Sequence, residues 1–321
     1  MSIASPLEQS ILETVVYFDI FDFPLTKEAL FRFLWQPPPV SREMFETALS
    51  GMVGSILQTK KERYFLSGKE QLVEKQESRL GITKQKLCKA KRAAKLLSSI
   101  PFLRAIFVSS SVAAGTARPE SDIDFFIITE KKRIWLVRLF TNLILRLLGL
   151  RVYGEKRKDR ICLCFFVDTD HLDLSPWQAA SPDIHFAYWL HQMIPLYDPK
   201  DHHAQFIAAN GWTKSHLPFV RSHVTSNHPA TIANGNIGKV WKTAWEKMWD
   251  GSYGNLIENE AKKLQWGMMK TSLKEKAKMT DHHVVISDGV LKLHENDARE
   301  VYREKWLEKV QKIIISNSPN A

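Results

Sequence analysis

Two aspartates, Asp122 and Asp124, stand one residue apart at the head of the apolar run "DIDFFIIT", residues 122 to 129. In a strand, alternate side chains share a face, so both carboxylates point one way while Ile123, Phe125 and Ile127 point the other. Two carboxylates on one face suit one or two divalent cations. Mg²⁺ takes a few carboxylate oxygens, its own waters and substrate phosphates, so the pair fits it better than it fits zinc, with Mn²⁺ as the substitute. Just upstream, the strand "AIFV" runs into "SSSVAAG", ending at Gly115. Backbone N–H groups at the start of a short helix there are placed to face a phosphate chain.

The elements around this stretch follow from apolar spacing. Strand "RAIFVSS", a short turn, strand "DIDFFIIT", a helix over 134 to 150 and strand "RICLCFFVD" alternate in a way that implies a mixed or parallel sheet covered by helices. In the helix, Arg138, Asn142 and Arg146 form one polar stripe at i, i+4 and i+8, which argues for a buried amphipathic helix and against membrane insertion. Upstream, residues 6 to 18, 26 to 35 and 42 to 53 read as helices, the second capped by Thr26 and the third by Ser41. "SILQTKKERYFLSG" reads as two short strands around a charged turn, and three helices followed by a hairpin is the layout of a winged helix.

The segment "TKQKLCKAKRAAKLLSS" carries Lys84, Lys86, Lys89, Lys91, Arg92 and Lys95 without an acid, against an apolar stripe of Leu87, Ala90, Ala94 and Leu97. It reads as a basic connecting helix, and 84–95 is a candidate contact for a polyanion. Beyond Pro176 the chain reads as mostly helical, with a polar linker over 222 to 238 and one hairpin in "HVVISDGVLKLH".

These residues resemble the nucleotidyltransferase fold of the DNA polymerase beta superfamily. Its signature is Gly-Ser, ten residues, then Asp-x-Asp; here Ser110 and Ser111 are followed by ten residues and Asp122-Ile123-Asp124. The loop "AAGTARPESDIDFFI" also resembles the minimal members, which read Gly-Thr-Ala before Ser-Asp-hydrophobic-Asp, and the whole layout resembles a group of prokaryotic nucleotidyltransferase-domain proteins. The resemblance implies an enzyme that transfers a nucleoside monophosphate from an NTP to a hydroxyl acceptor (a small molecule, a protein side chain or an RNA end), with pyrophosphate leaving. Asp122 and Asp124 would be catalytic metal ligands, and Ser110, Ser111, Gly115 and Thr116 would bind the nucleotide.

The expected fold class is therefore α+β, a nucleotidyltransferase-fold mixed sheet with helices. A winged-helix-like domain (1–70) and the connecting helix (71–100) precede the core (101–175), and a mainly helical region (176–321) follows it. Two departures bear on catalysis. Ser110 stands where the family has Gly, adding a side chain where the backbone approaches the triphosphate. The third carboxylate, usually on a later strand, falls by parity to Asp168, with Asp159 as the other choice. Without one in reach, the chain would bind NTP without releasing pyrophosphate, and the alternative reading is a catalytically degenerate module that binds nucleotide or nucleic acid as a sensor or regulator.

The formal net charge of +10 fits a polyanionic partner or substrate. "MSIASPLEQS" does not read as a signal peptide, and Cys88, Cys162 and Cys164 are too few and too badly spaced for a disulfide framework, so the cytoplasm is the expected compartment. Cys162 and Cys164 read as small residues of a buried strand rather than zinc ligands. Arg42 among Glu43 and Glu46 makes the third helix too weakly basic to dock DNA, which favours a substrate or partner module. Trp177, Trp189, Trp212, Trp241, Trp245 and Trp249 are expected in the core, and the pairs His202-His203 and His282-His283 at the surface or in helix packing.

Overall fold

The computed structural model describes residues 5–220, 231–233, 235–279, 283–294 and 297–317. Most of the expected linker, and His282, lie outside them. The chain opens with α1 (Pro6–Asp19), where Ser5 and Glu8 form a reciprocal capping box. Then come β1 (Leu25–Thr26), α2 (Lys27–Arg32) and α3 (Arg42–Met52), the two helices capped by the hydroxyls of Thr26 and Ser41 as their sequences require. The hairpin β2 (Leu57–Lys60) and β3 (Arg63–Leu66) completes an antiparallel sheet in the order β1-β3-β2. In the hairpin turn, Lys60 and Lys61 are paired with Glu74 and Glu77, and Arg42 is paired with Glu28 and Glu46.

The basic segment belongs to one long helix, α4 (Gln71–Leu97), whose Ala90, Ala94 and Leu97 are buried as the apolar stripe requires. It packs on a sheet that starts with β4 (Leu103–Val108), the one-turn helix α5 (Ser110–Ala113) and β5 (Ile123–Thr129). A crossover through α6 (Ile134–Leu147) makes β6 (Ile161–Asp168) parallel to β5. Next follow α7 (Ile184–Gln192), β7 (Ile194–Tyr197), α8 (His202–Ala209), α9 (Asn236–Met248), α10 (Gly251–Met268) and α11 (Thr271–Lys276). The hairpin β8 (Val284–Ile286) and β9 (Val290–Leu293) leads into α12 (Arg299–Ser316).

The large sheet is mixed, in the order β7-β4-β5-β6-β9-β8, so its outer strands come from the region read as mainly helical. One face carries Ile123, Phe125 and Ile127 against α4 and α6; the other carries Phe126, Ile128 and Phe165 against α7 and α8. Arg138 donates to Gln265 on α10 and Asn142 accepts from Arg151, so two residues of the polar stripe of α6 are used inside the protein, while Arg146 is exposed over the Tyr153 ring. No helix among the described residues is long and apolar enough to cross a membrane. The N-terminal helices share one apolar core with Ile184 and Tyr188 of α7 and with Trp306 and Val310 of α12. They are thereby fixed to the rest of the chain rather than folded around a core of their own. Trp241 is 55% exposed, unlike its expected place in the core, because α9 turns it outward.

Candidate active site

The loop between β4 and β5 is shaped by a few backbone bonds. Ser109 N–H donates to the Asp124 carbonyl, which ties the loop entry to the strand that carries the acid pair. The first bonds of α5 run from Ala113 N–H to Ser109 and from Ala114 N–H to Ser110, so the N–H groups of Ser110, Ser111 and Val112 lie outside the helical ladder. Ser110 itself sits at φ +55°, in the left-handed region where glycine is at ease and a side chain is strained. Gly115 (φ +76°) reverses the chain, and a Cβ there would meet the Phe23 ring at 3.2 Å. The turn then closes through Ser121, whose Oγ accepts from Arg118 N–H.

This turn is anchored from behind. The buried Lys86 donates to the carbonyls of Pro119 and Ser121 and, at 2.8 Å, to Asp159, while Lys89 reaches the other oxygen of Asp159. Two lysines of the basic stripe thus position the loop that delivers Asp122.

The carboxylate of Asp122 is partly exposed, with Arg157 at 3.8 Å. Asp124 is half-buried in the pocket lining, and desolvation, aided by the charge of Asp122, pushes its carboxyl up to about 6 despite bonds from Ser110, Cys162 and Cys164. Burial and like-charge repulsion are costs that a dication bound at Asp124 would remove.

Asp124, Ser110, Ser111 and Thr116 line one side of a pocket of about 320 Å³. Aromatic rings of Tyr17, Phe21, Phe23 and Trp189 form its walls, with Trp189 stacked between Phe165 and Phe186. The far side is a charged cluster: Lys292 and Arg299 both hold Asp297, and Arg299 also pairs with the buried Asp183. Burial, with Arg299 adjacent, lowers Lys292 to about 8; Lys292 and Arg299 outweigh the burial of Asp297 and hold it at about 2. His185 and His294 are both pushed down to about 4, chiefly by burial, and are neutral imidazoles at pH 7. Tyr17 Oη and His185 Nδ1 are 2.9 Å apart at the pocket wall. Perturbed titratable groups concentrated in one cleft mark a functional site.

Residues 87–186 match the family described as nucleotidyltransferase domain. This stretch is a nucleotidyltransferase-fold domain. No match is found to a curated protein or to a solved structure. The match points to nucleotidyl transfer from an NTP as the domain's general chemistry.

Within the nucleotidyltransferase domain, Asp168 does not take the place its parity suggested. In the parallel pairing of β5 and β6, Asp124 lies across from Cys162, whereas Asp168 lies across from Thr129 at the other end of the strands. The register also slips. Phe125 faces Leu163 but Phe126 faces Phe165, so Cys164 is an extra residue and the alternation inverts beyond it. Val167 shares the face of Phe126, which leaves Asp168 on the opposite one. There Asp168 is buried and accepts from Lys132 N–H and Asp170 N–H, with His171 Nδ1 at 2.6 Å. Asp159, the other choice, is held by Lys86 and Lys89. The group beside Asp124 on β6 is a thiol: Cys164 Sγ is 3.6 Å from Asp124 Oδ1.

Sequence reasoning missed the far side of the pocket. Lys292 on β9, His294 and Asp297 between the two elements, and Arg299 and Tyr302 on α12 lie outside the matched domain and far along the chain. The available signal was Lys292 in "VLKLH", a charge inside a strand pattern.

Proposed function

We propose that the chain is a divalent-cation-dependent nucleotidyltransferase that moves a nucleoside monophosphate from an NTP to a hydroxyl acceptor, working in the cytoplasm where NTP and Mg²⁺ are supplied. The observation that carries this reading is that Asp124 and the Ser110–Ser111 turn line one pocket together with Lys292 and Arg299. Mg²⁺, or Mn²⁺ in its place, would be held by Asp122 and Asp124 and would supply charge neutralisation at the triphosphate and acidify the acceptor hydroxyl. The backbone N–H groups of Ser110 and Ser111, with Thr116, bind phosphate oxygens, and Gly115 lets the chain turn closely beneath them.

Lys292 and Arg299 stand in the pocket lining with their charge balanced by Asp297 and Asp183, which hold both in place. The Phe21, His185 and Tyr302 rings lie within ring-contact distance of one another and offer flat apolar faces to a base or an acceptor while excluding water. Since Tyr17, Phe18, Phe21 and Phe23 all line the pocket, the N-terminal winged-helix-like elements act as a substrate module. Polyanion contact through 84–95 narrows to the exposed Lys84, Arg92 and Lys95, because Lys86 and Lys89 are engaged with Asp159.

The second reading, a nucleotide-binding regulator without turnover, is favoured by the thiol beside Asp124 where a third carboxylate would serve the acceptor hydroxyl. Pyrophosphate release separates the two. With Mg²⁺, each of the four NTPs and a nucleotide-depleted cell extract as the source of hydroxyl acceptors, the chain releases pyrophosphate above the level of the Asp122→Asn and Asp124→Asn variants. Saturable NTP binding with no release would select the regulator.

A further inference from the structure

Strand β6 offers two thiols where β5 offers a carboxylate. Cys162 is the register partner of Asp124, and the slip between Phe125 and Phe126 makes Cys164 the extra residue of a bulge. A bulge re-aims the side chain it carries. Here one carboxylate oxygen of Asp124 and the Sγ atoms of Cys162 and Cys164 all lie within 4.8 Å of one another. Tetrahedral zinc, with Zn–S near 2.3 Å and Zn–O near 2.1 Å, needs donors about 3.5 Å apart, so small side-chain rotations complete the site.

We propose that Asp124, Cys162 and Cys164 bind Zn²⁺ as three protein ligands, with the fourth position open to the pocket that Asp124 lines. Thiolates select a borderline-soft cation, whereas oxygen donors suit Mg²⁺. Both thiols release their protons to solvent on uptake, and no electron moves. Asp122 takes no part. Because Zn²⁺ engages Asp124, it excludes Mg²⁺ from the acid pair, so zinc antagonises NTP binding; this clause alone rests on the function proposed above.

Co²⁺ titrated into the reduced full-length chain tests the site. The expected result is a thiolate-to-cobalt charge-transfer band that saturates at one equivalent and is displaced by one equivalent of Zn²⁺. Cys162→Ser and Cys164→Ser each weaken Zn²⁺ by at least about tenfold, the scale on which even groups outside the metal's own ligands act. Absence of the band in the wild-type chain, a readout independent of any variant's folding, overturns the proposal, as does unchanged Zn²⁺ affinity in both serine variants. Asp122→Asn keeps the band while losing Mg²⁺-dependent NTP binding. A zinc site that forms as described without lowering Mg²⁺-dependent NTP affinity would uphold the thiolate site and remove Asp124 from the nucleotide's metal.

Discussion

Asp124 on β5 lies directly across from Cys162 on β6, while Asp168 pairs with Thr129 at the far end of the same two strands. At about 3.3 Å per residue the two acids are separated by roughly 16 Å along the strands, too far for one ion to bridge. Asp168 instead closes the turn that leads into α6.

Its replacement therefore separates structure from function. Asp168→Ala leaves the N–H groups of Lys132 and Asp170 without their acceptor, and stability falls by about 1–3 kcal/mol in chemical denaturation. NTP affinity of the folded variant stays within about twofold of wild type, a difference of ~0.4 kcal/mol. A loss of affinity tenfold or more at unchanged stability would return Asp168 to the site.

The raised carboxyl of Asp124 gives a pH dependence with a defined sign. Its folded value of about 6 lies above the ordinary 3.8, so its contribution to stability is full below pH 4 and lost as pH rises to 6. In metal-free buffer at pH 7 the ionised group costs about 1–3 kcal/mol, since each tenfold change in proton affinity is worth roughly 1.4 kcal/mol. Asp124→Asn consequently raises the unfolding free energy at pH 7.5 and narrows its advantage toward pH 5. Mg²⁺ affinity of the wild type falls up to about tenfold per pH unit below 6, since the proton and the metal compete for the same oxygens. An Asn variant less stable than wild type at pH 7.5 would show that Asp124 is held by favourable contacts outweighing its burial.

Ser110 carries two opposing effects. Its left-handed backbone favours glycine by about 1 kcal/mol, partly offset by the greater unfolded-state freedom of glycine, so Ser110→Gly changes stability by less than about 1 kcal/mol. Its hydroxyl bonds to Asp124 and lowers that carboxyl, so the glycine variant shifts the pH midpoint of Mg²⁺ binding upward. At pH 8, above both midpoints, calorimetry finds NTP affinity held or raised. Reduced affinity at pH 8 would make the hydroxyl a direct ligand of the nucleotide.

Much of the pocket's near side was legible in the sequence because local rules govern it. The motif spacing names Ser110, Ser111, Thr116 and Asp124, which line the pocket, whereas Asp122 and Gly115 are outside its lining; hydroxyl caps mark the starts of α2 and α3. The rest depends on features that periodicity does not carry. The inserted Cys164 inverts the alternation of β6, which no count from Cys162 to Asp168 reveals. Lys86 looks like one more lysine on a solvated stripe, yet three oxygen partners bury it. Lys292 and Arg299 reach the pocket only because β9 joins β6 and α12 packs on α1 and α7, pairings that span most of the chain.

Asp122 and Asp124 are expected to bind an NTP through a divalent cation at the head of β5. Isothermal calorimetry with a non-hydrolysable NTP analogue, with and without Mg²⁺, measures this binding. Saturable binding by the wild-type chain is expected only when Mg²⁺ is present, with a loss of at least about a hundredfold, ~2.7 kcal/mol, in both Asp122→Asn and Asp124→Asn at unchanged fold. Equal affinity in the wild type and in both variants would contradict it.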